Sequence, residues 1–206
     1  MLDLQLVKIG VMKREYQKLL LNIARTAIEE VLTGYRFIDK EELLRDYPFL
    51  REKRAVFVTL NKRINGRKEL RGCIGSIIPH RTLLDDVIAN ARAAAFSDPR
   101  FEPVSSLDEM RQIDIEISLL TVPKMLEYID PGDLRRKIVP GRDGIVLKLN
   151  GRQATFLPQV WEQLPDFDTF FEHLCRKAGL PGDCLRYHPE IDVYHVEKFE
   201  EDDFRS

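Results

Sequence analysis

The sequence predicts an α+β protein in which a hairpin–helix–strand unit occurs twice, its strands joining one curved antiparallel sheet flanked by helices. Three observations carry this. Two apolar hairpins, over 55–78 and 144–157, each surround an Asn-Gly pair, the strongest short turn signal. Each hairpin is followed by an apolar-periodic helix and then an alternating strand, giving the same element order over 55–119 and 144–199. No Gly/Ser-rich linker divides the two halves, so the expectation is a single domain over 1–206 with two closely packed lobes, about 13–120 and 121–200.

Residues 13–32 hold apolar side chains three and one apart, from Tyr16 to Leu32, the stripe of an amphipathic helix. Gly34 ends it. Asp39 caps a shorter helix that stops before Pro48. Residues 55–60 read as a buried strand, 61–68 as a turn or loop, and 70–78 as the returning strand. Pro79 closes the hairpin. Leu83, Leu84, Val87, Ile88, Ala91, Ala94 and Ala95 share a helix face. Ser106 and Glu109 read as a capping box. Alternation over 113–119 predicts a strand with one buried face. Asp130-Pro131 starts a short helix. The helix around Phe170 stops at Gly179, and a last strand spans 191–199. The acidic tail from Glu200 to Ser206 is expected to fray.

Composition excludes several classes. The 32 basic and 34 acidic residues leave a net charge of −2. A nucleic-acid binder shows a basic excess or stripe instead. No apolar run reaches the roughly 20 residues that span a bilayer. Met1–Gln5 lacks the basic start and cleavage site of a signal peptide. Cys73, Cys175 and Cys184 are odd in number and widely spaced. The expectation is free thiols in the reducing cytoplasm rather than a disulfide framework. No Cys-x-x-Cys or His-x-x-x-His occurs, and the Cys184/His188 spacing of four alone argues weakly for a zinc site, so no metal is expected. Glycine-rich nucleotide loops and the nucleophile elbow are missing too, so no cofactor is assigned.

The most suggestive segment is Leu70-Arg71-Gly72-Cys73-Ile74-Gly75-Ser76. Glycine weakens a strand, so Gly72 and Gly75 require a reason: a bulge, a close backbone approach, or room for a ligand. Arg71 can hold a carboxylate or phosphate through its guanidinium, and a nearby cation favours the thiolate of Cys73. Arg71 and Cys73 share a face only if the strand is regular. Against this stands a buried structural cysteine, which residue chemistry alone favours. Asp98 and Arg100 flank Pro99 and either present charge to a cleft or form a helix-terminating loop pair. Glu116 is a general-base candidate on the polar face of its strand. Gln159 sits in a strand-to-helix exit beside Trp161, either a cleft wall or core packing.

These motifs, from Ala55–Leu60 through Leu70–Gly75, Asp98–Phe101, Ile115–Ser118, Gly144-Ile145 and Leu157–Val160 to Lys177–Leu180, resemble the AMMECR domain family in their order. The Leu-Arg-Gly-Cys-Ile-Gly run is that family's defining motif. The resemblance implies a duplicated strand–helix fold with a barrel-like sheet, and association with Memo-like and radical-SAM proteins. It implies no settled activity. Relatives often carry a tryptophan where this chain has Asp183-Cys184-Leu185. Two functions follow as expectations. One is a thiol-dependent enzyme with Cys73 as nucleophile or carrier and Arg71, Asp98, Arg100 and Glu116 around it. The other is a non-catalytic adaptor whose motif shapes a pocket for a small molecule or protein.

Overall fold

The structure, a computed structural model, describes residues 12–205. The signal-peptide reading of Met1–Gln5 and the final Ser206 lie outside these residues. The chain forms two compact units, residues 12–120 with 197–205, and residues 121–196.

In the first unit, α1 (Arg14–Thr33) buries Leu20, Leu21, Ile23, Ala24, Ala27 and Ile28. It stops at Gly34, whose φ of 75° suits glycine and whose N–H reaches Glu30 O at 2.9 Å. The short α2 (Lys40–Asp46) starts where Asp39 accepts the Glu42 N–H. β1 (Val56–Ile64) and β2 (Arg67–Gly75) form the first hairpin. Its two-residue turn places Asn65 at φ 52° and Gly66 at φ 78°, so the segment read as a loop is strand up to that turn. Its charged residues face water on both sides there, and that erases the alternation that marks a strand.

α3 (Leu83–Phe96) is capped by Thr82, and α4 (Leu107–Met110) by Ser106. β3 (Ile113–Leu120) pairs with the other side of β1. Two further strands belong to the count: β4 (Lys124–Met125), which the sequence did not announce, and β8 (Val196–Glu200), which adds to β3. The first sheet therefore runs β2-β1-β3-β8. Val56, Val58 and Leu60 with Ile113, Ile115, Ile117 and Leu119 form one core with α1 and α3. β3 was expected to bury one face only; Asp114 and Ser118 on its other face are buried too.

Through residue 205 the described tail is held against the first unit rather than frayed. Glu201 accepts Arg25 Nε and Nη2 at 2.6 Å and the Ile115 N–H at 3.0 Å. Asp202 pairs with Arg63, Lys68 and Arg205. The acidic residues that read as a solvated end find cations on the first unit instead.

In the second unit, α5 (Pro131–Lys137) follows the Asp130 cap. β5 (Gly144–Leu149) and β6 (Arg152–Phe156) form the second hairpin, turning at Asn150 and Gly151. α6 (Val160–Gln163), α7 (Phe167–Lys177) and β7 (Glu190–Tyr194) complete it, and the sheet order is β4-β7-β5-β6. Trp161 is core: it stacks on Phe170 at 3.5 Å and donates to Asp143 O at 2.9 Å.

Two antiparallel sheets thus replace the single curved sheet expected, and no closed barrel occurs among the described residues. The strand read over 191–199 divides at His195, with β7 joining one sheet and β8 the other. The repeat survives in strand order. Both hairpin–helix–strand units place the hairpin's first strand centrally, as β2-β1-β3 and β6-β5-β7.

A second correction concerns cysteine. Cys175 and Cys184, nine residues apart and fully buried, form a disulfide, leaving Cys73 free. The turn at Gly179, with φ 73°, brings the end of α7 back toward Cys184. Closing a loop of about ten residues stabilises a fold by about 2–3 kcal/mol. Reduction, or Cys175→Ser with Cys184→Ser, should lower second-unit stability by that amount. Urea unfolding followed by Trp161 fluorescence reads it, and an unchanged transition with both thiols shown free would contradict it.

Candidate functional site

The suggestive segment lies on β2, the edge strand of the first sheet. Leu60 pairs with Gly72 and Asn61 with Leu70, so Arg71 is an extra residue in β2. This is a β-bulge, and it breaks the regular alternation that would align Arg71 with Cys73. The Arg71 side chain is largely buried and donates from Nε to Glu109 Oε1 at 3.0 Å. Its Nη1 is buried without a protein acceptor. Burial raises the Glu109 pKa, but the Ser105 N–H and the Arg71 guanidinium outweigh that and hold it below the ordinary value.

Both glycines are explained by close approach. A Cβ on Gly72 would lie 2.2 Å from the main-chain oxygen of Ala94 on α3. A Cβ on Gly75 would lie 2.2 Å from the Phe57 ring. Gly72 therefore lets the end of α3 sit directly on β2, and Gly75 lets Phe57 lie across the strand.

Cys73 is held through its main chain. Its N–H donates to Asp98 Oδ2 at 2.9 Å, and its carbonyl accepts from Arg100 Nη2 at 3.2 Å. Asp98 also accepts from Arg100 N at 3.1 Å and from Nε at 3.0 Å. Arg100, with the Cys73 N–H, holds the buried Asp98 carboxyl well below the usual carboxylate range. Pro99 sits between the two arms of this clip. The loop-pair reading of Asp98 and Arg100 is the one the geometry follows, with β2 as what the pair grips.

The Cys73 side chain lies opposite Thr59, which in turn lies opposite Glu116 on β3. Residues directly across a sheet share a face, so Cys73, Thr59 and Glu116 form a row. Thr59 Oγ1 donates to Cys73 Sγ at 3.3 Å, and Glu116 is 3.8 Å from Lys198 Nζ. Gln159 stands in the second unit, exposed, just before α6, with no side-chain capping bond.

Beyond Cys73 the ladder ends in a buried polar knot. Ser76 N–H donates to Val56 O at 3.0 Å. The Val56 N–H goes to Asp86 Oδ2 at 2.9 Å, and Ser76 Oγ donates to Asp86 Oδ1 at 2.7 Å. Asn90 Nδ2 donates to Val56 O, Ser76 Oγ and Asp86 Oδ2 at 3.0–3.2 Å. Over this knot lies a groove of about 570 Å³, lined by residues 74–78, by His80 and Arg81, and by Ala89, Asn90 and Ala93 of α3. Sequence reasoning missed Asp86 and Asn90. The signal was present: two polar residues four apart on a helix flanked closely by apolar positions.

No group of three or more His, Cys, Asp or Glu among the described residues is placed to hold a metal. No helix among them is long and apolar enough to cross a membrane.

The fold is α+β, with two antiparallel sheets. The AMMECR1 family model matches residues 21–199, and the chain belongs to that family. A protein of Methanothermobacter thermautotrophicus is 40% identical over 192 residues, covering 93% of this chain and 96% of its own. Protein MK0488 of Methanopyrus kandleri is 39% identical over 196 residues, covering 92% and 90%. The crystal structure of uncharacterized protein PH0010 from Pyrococcus horikoshii is similar with a TM-score of 0.71 at 38% identity, covering 92% of this chain and 93% of that one.

Proposed function

We propose that this AMMECR1-family chain is a cleft-bearing binding component that acts with Memo-like and radical-SAM proteins, and that the groove at the end of β2 is its cleft. The observation that carries the reading is how the defining motif is used. Its glycines and its clip fix the backbone of Cys73, and the same strand continues into a groove with open polar groups. In this reading Gly75 lines the site, whereas Arg71, Gly72, Asp98 and Arg100 position the strand and do not touch a ligand. Glu116 and Gln159 have no part in the groove. The chain is taken as one domain with two lobes, working in the cytoplasm, where the buried Cys175–Cys184 bond is out of easy reach of thiol reductants.

The alternative, a thiol enzyme using Cys73, has less to support it. The group in hydrogen-bond reach of Sγ is the Thr59 hydroxyl, not a base. The neighbouring cation, Arg100, is already bound by Asp98. Nucleophilic cysteines are activated by a base or by an uncompensated cation. Iodoacetamide modification of the folded protein across pH separates the two readings. We expect Cys73 to react no faster than an ordinary exposed thiol. Reaction ten-fold faster at neutral pH would favour the enzyme.

The partner reading is tested by mixing the purified full chain with purified Memo-like and radical-SAM proteins from the same genome, and measuring association by calorimetry. We expect binding to at least one of them. No binding to either would remove the partners from the proposal.

A further inference from the structure

Resting on the reading of this groove as the binding site, we infer that it takes an extended peptide segment, added as a short strand to the open edge of β2 at Gly75, with a carboxylate of that segment on Arg81.

The first support is ladder parity. In an antiparallel pair, successive residues point their N–H and C=O alternately toward and away from the partner strand. Ser76 bonds to β1 through Val56, and Cys73 turns its N–H and C=O outward to Asp98 and Arg100. Gly75 has the same parity as Cys73, so its N–H and C=O also face outward. At Cys73 the clip closes the edge. At Gly75 no group among the described residues does so, and Gly75 lines the groove. Unpaired strand edges are templates for an added strand.

The second support is Asn90. It is 4% exposed, and its three donor contacts fix the direction of its amide. Among the described residues its Oδ1 receives no hydrogen bond, while its Nδ2 makes all three contacts. A buried acceptor left open on a groove wall suits a ligand N–H. The third support is Arg81. Its Nε donates to His80 Nε2 at 3.0 Å and lies 3.4 Å from Asp86 Oδ1, with Asp85 also nearby, and among the described residues its two terminal nitrogens make no hydrogen bond. Such a fork matches a carboxylate.

The walls agree. Ala89 and Ala93 are one turn apart on α3 and small, and line the groove together with Ile77 and Ile78. That leaves apolar room for side chains of an extended chain. A free inorganic anion would leave the open strand edge and these walls unused. A nucleic acid would lack an aromatic platform for its bases.

The test titrates the ¹⁵N-labelled full chain with the C-terminal amide acetyl-Val-Thr-Val-Glu-NH₂, and its copies are amides too. Three controls accompany it: a copy N-methylated at the two central residues, a copy ending in Lys, and acetate. We expect amide shifts at Gly75, Ser76 and Asn90, at least ten-fold weaker binding of the N-methylated copy, and several-fold weaker binding of the Lys copy. Arg81→Gln should weaken binding several-fold, and Ala93→Leu, at a partly buried position on the groove wall where leucine keeps helix propensity, should abolish it. Thermal unfolding of each variant checks that it is folded. Three results would overturn the inference: no groove shifts at millimolar peptide, equal binding of the N-methylated copy, or acetate reproducing the shifts at equal affinity. Ala93→Leu breaking association with a purified partner while no peptide binds would leave the groove as the binding site and remove the peptide mode alone.

Discussion

Gly72→Ala should destabilise the first unit by about 3 kcal/mol or more, at the upper end of overpacking costs. The added methyl would meet the Ala94 carbonyl at 2.2 Å. A main-chain oxygen near the end of α3 cannot rotate away as a side chain would. Either α3 lifts from the sheet or β2 moves off β1, and both open a core in which Ala91, Ala94, Val58 and Leu60 are fully buried. The gain from removing glycine from a strand, about 0.5–1 kcal/mol, does not offset that. Chemical denaturation of purified protein checks the value. A loss below about 1 kcal/mol would mean that α3 does not sit on Gly72 in solution.

Asp98→Ala should cost about 2–3 kcal/mol, mainly because it leaves the buried-side Cys73 N–H without an acceptor and removes charge-assisted bonds from Arg100. Arg100 is half-exposed and can turn to water, which limits the penalty on its side. Cys73→Ser should change stability by less than about 1 kcal/mol, because the clip grips the main chain at position 73. The pair of variants separates a structural clip from a chemical thiol.

The Asp98 contribution also has a pH signature. Its folded-state pKa is depressed, chiefly by Arg100, while the unfolded value is about 3.9. The ionised form therefore favours the fold. Its stabilisation is complete above about pH 4 and is lost as pH falls through the acid range below that. Asp98→Asn should show lower stability at neutral pH and a shallower decline below pH 4 than the natural protein. Parallel acid profiles for the two would contradict the clip.

Much of the fold was legible because its signals are local. The stripe on α1, the stops at Gly34 and Gly179, and the turns at Asn65-Gly66 and Asn150-Gly151 all depend on residues close in sequence. The close-approach reading of Gly72 held for the same reason: glycine in a strand needs a neighbour, whichever it is. What failed was non-local. The break at His195 carries no glycine or proline, so one alternating run concealed two strands that join different sheets. The Cys175–Cys184 bond depends on how the Gly179 turn returns the chain. The tail looked solvated until Arg25, Arg63 and Lys68 were brought together by α1 and the first hairpin. The site followed the same division. Cys73 drew attention by its flanking glycines, yet the groove lies over a knot of Asp86 and Asn90, which meet Ser76 only through the packing of α3 on β2.

In the proposed reading the Leu70–Ser76 motif works through its backbone and the groove beyond it, not through its thiol. The most direct measurement is the affinity of whichever proposed partner, Memo-like or radical-SAM, binds the full chain, for three folded preparations: natural, Cys73→Ser and Ala93→Leu. Equal affinity for the first two and at least ten-fold weaker binding of the third is the predicted result. Loss of binding on Cys73→Ser with binding retained by Ala93→Leu would contradict it.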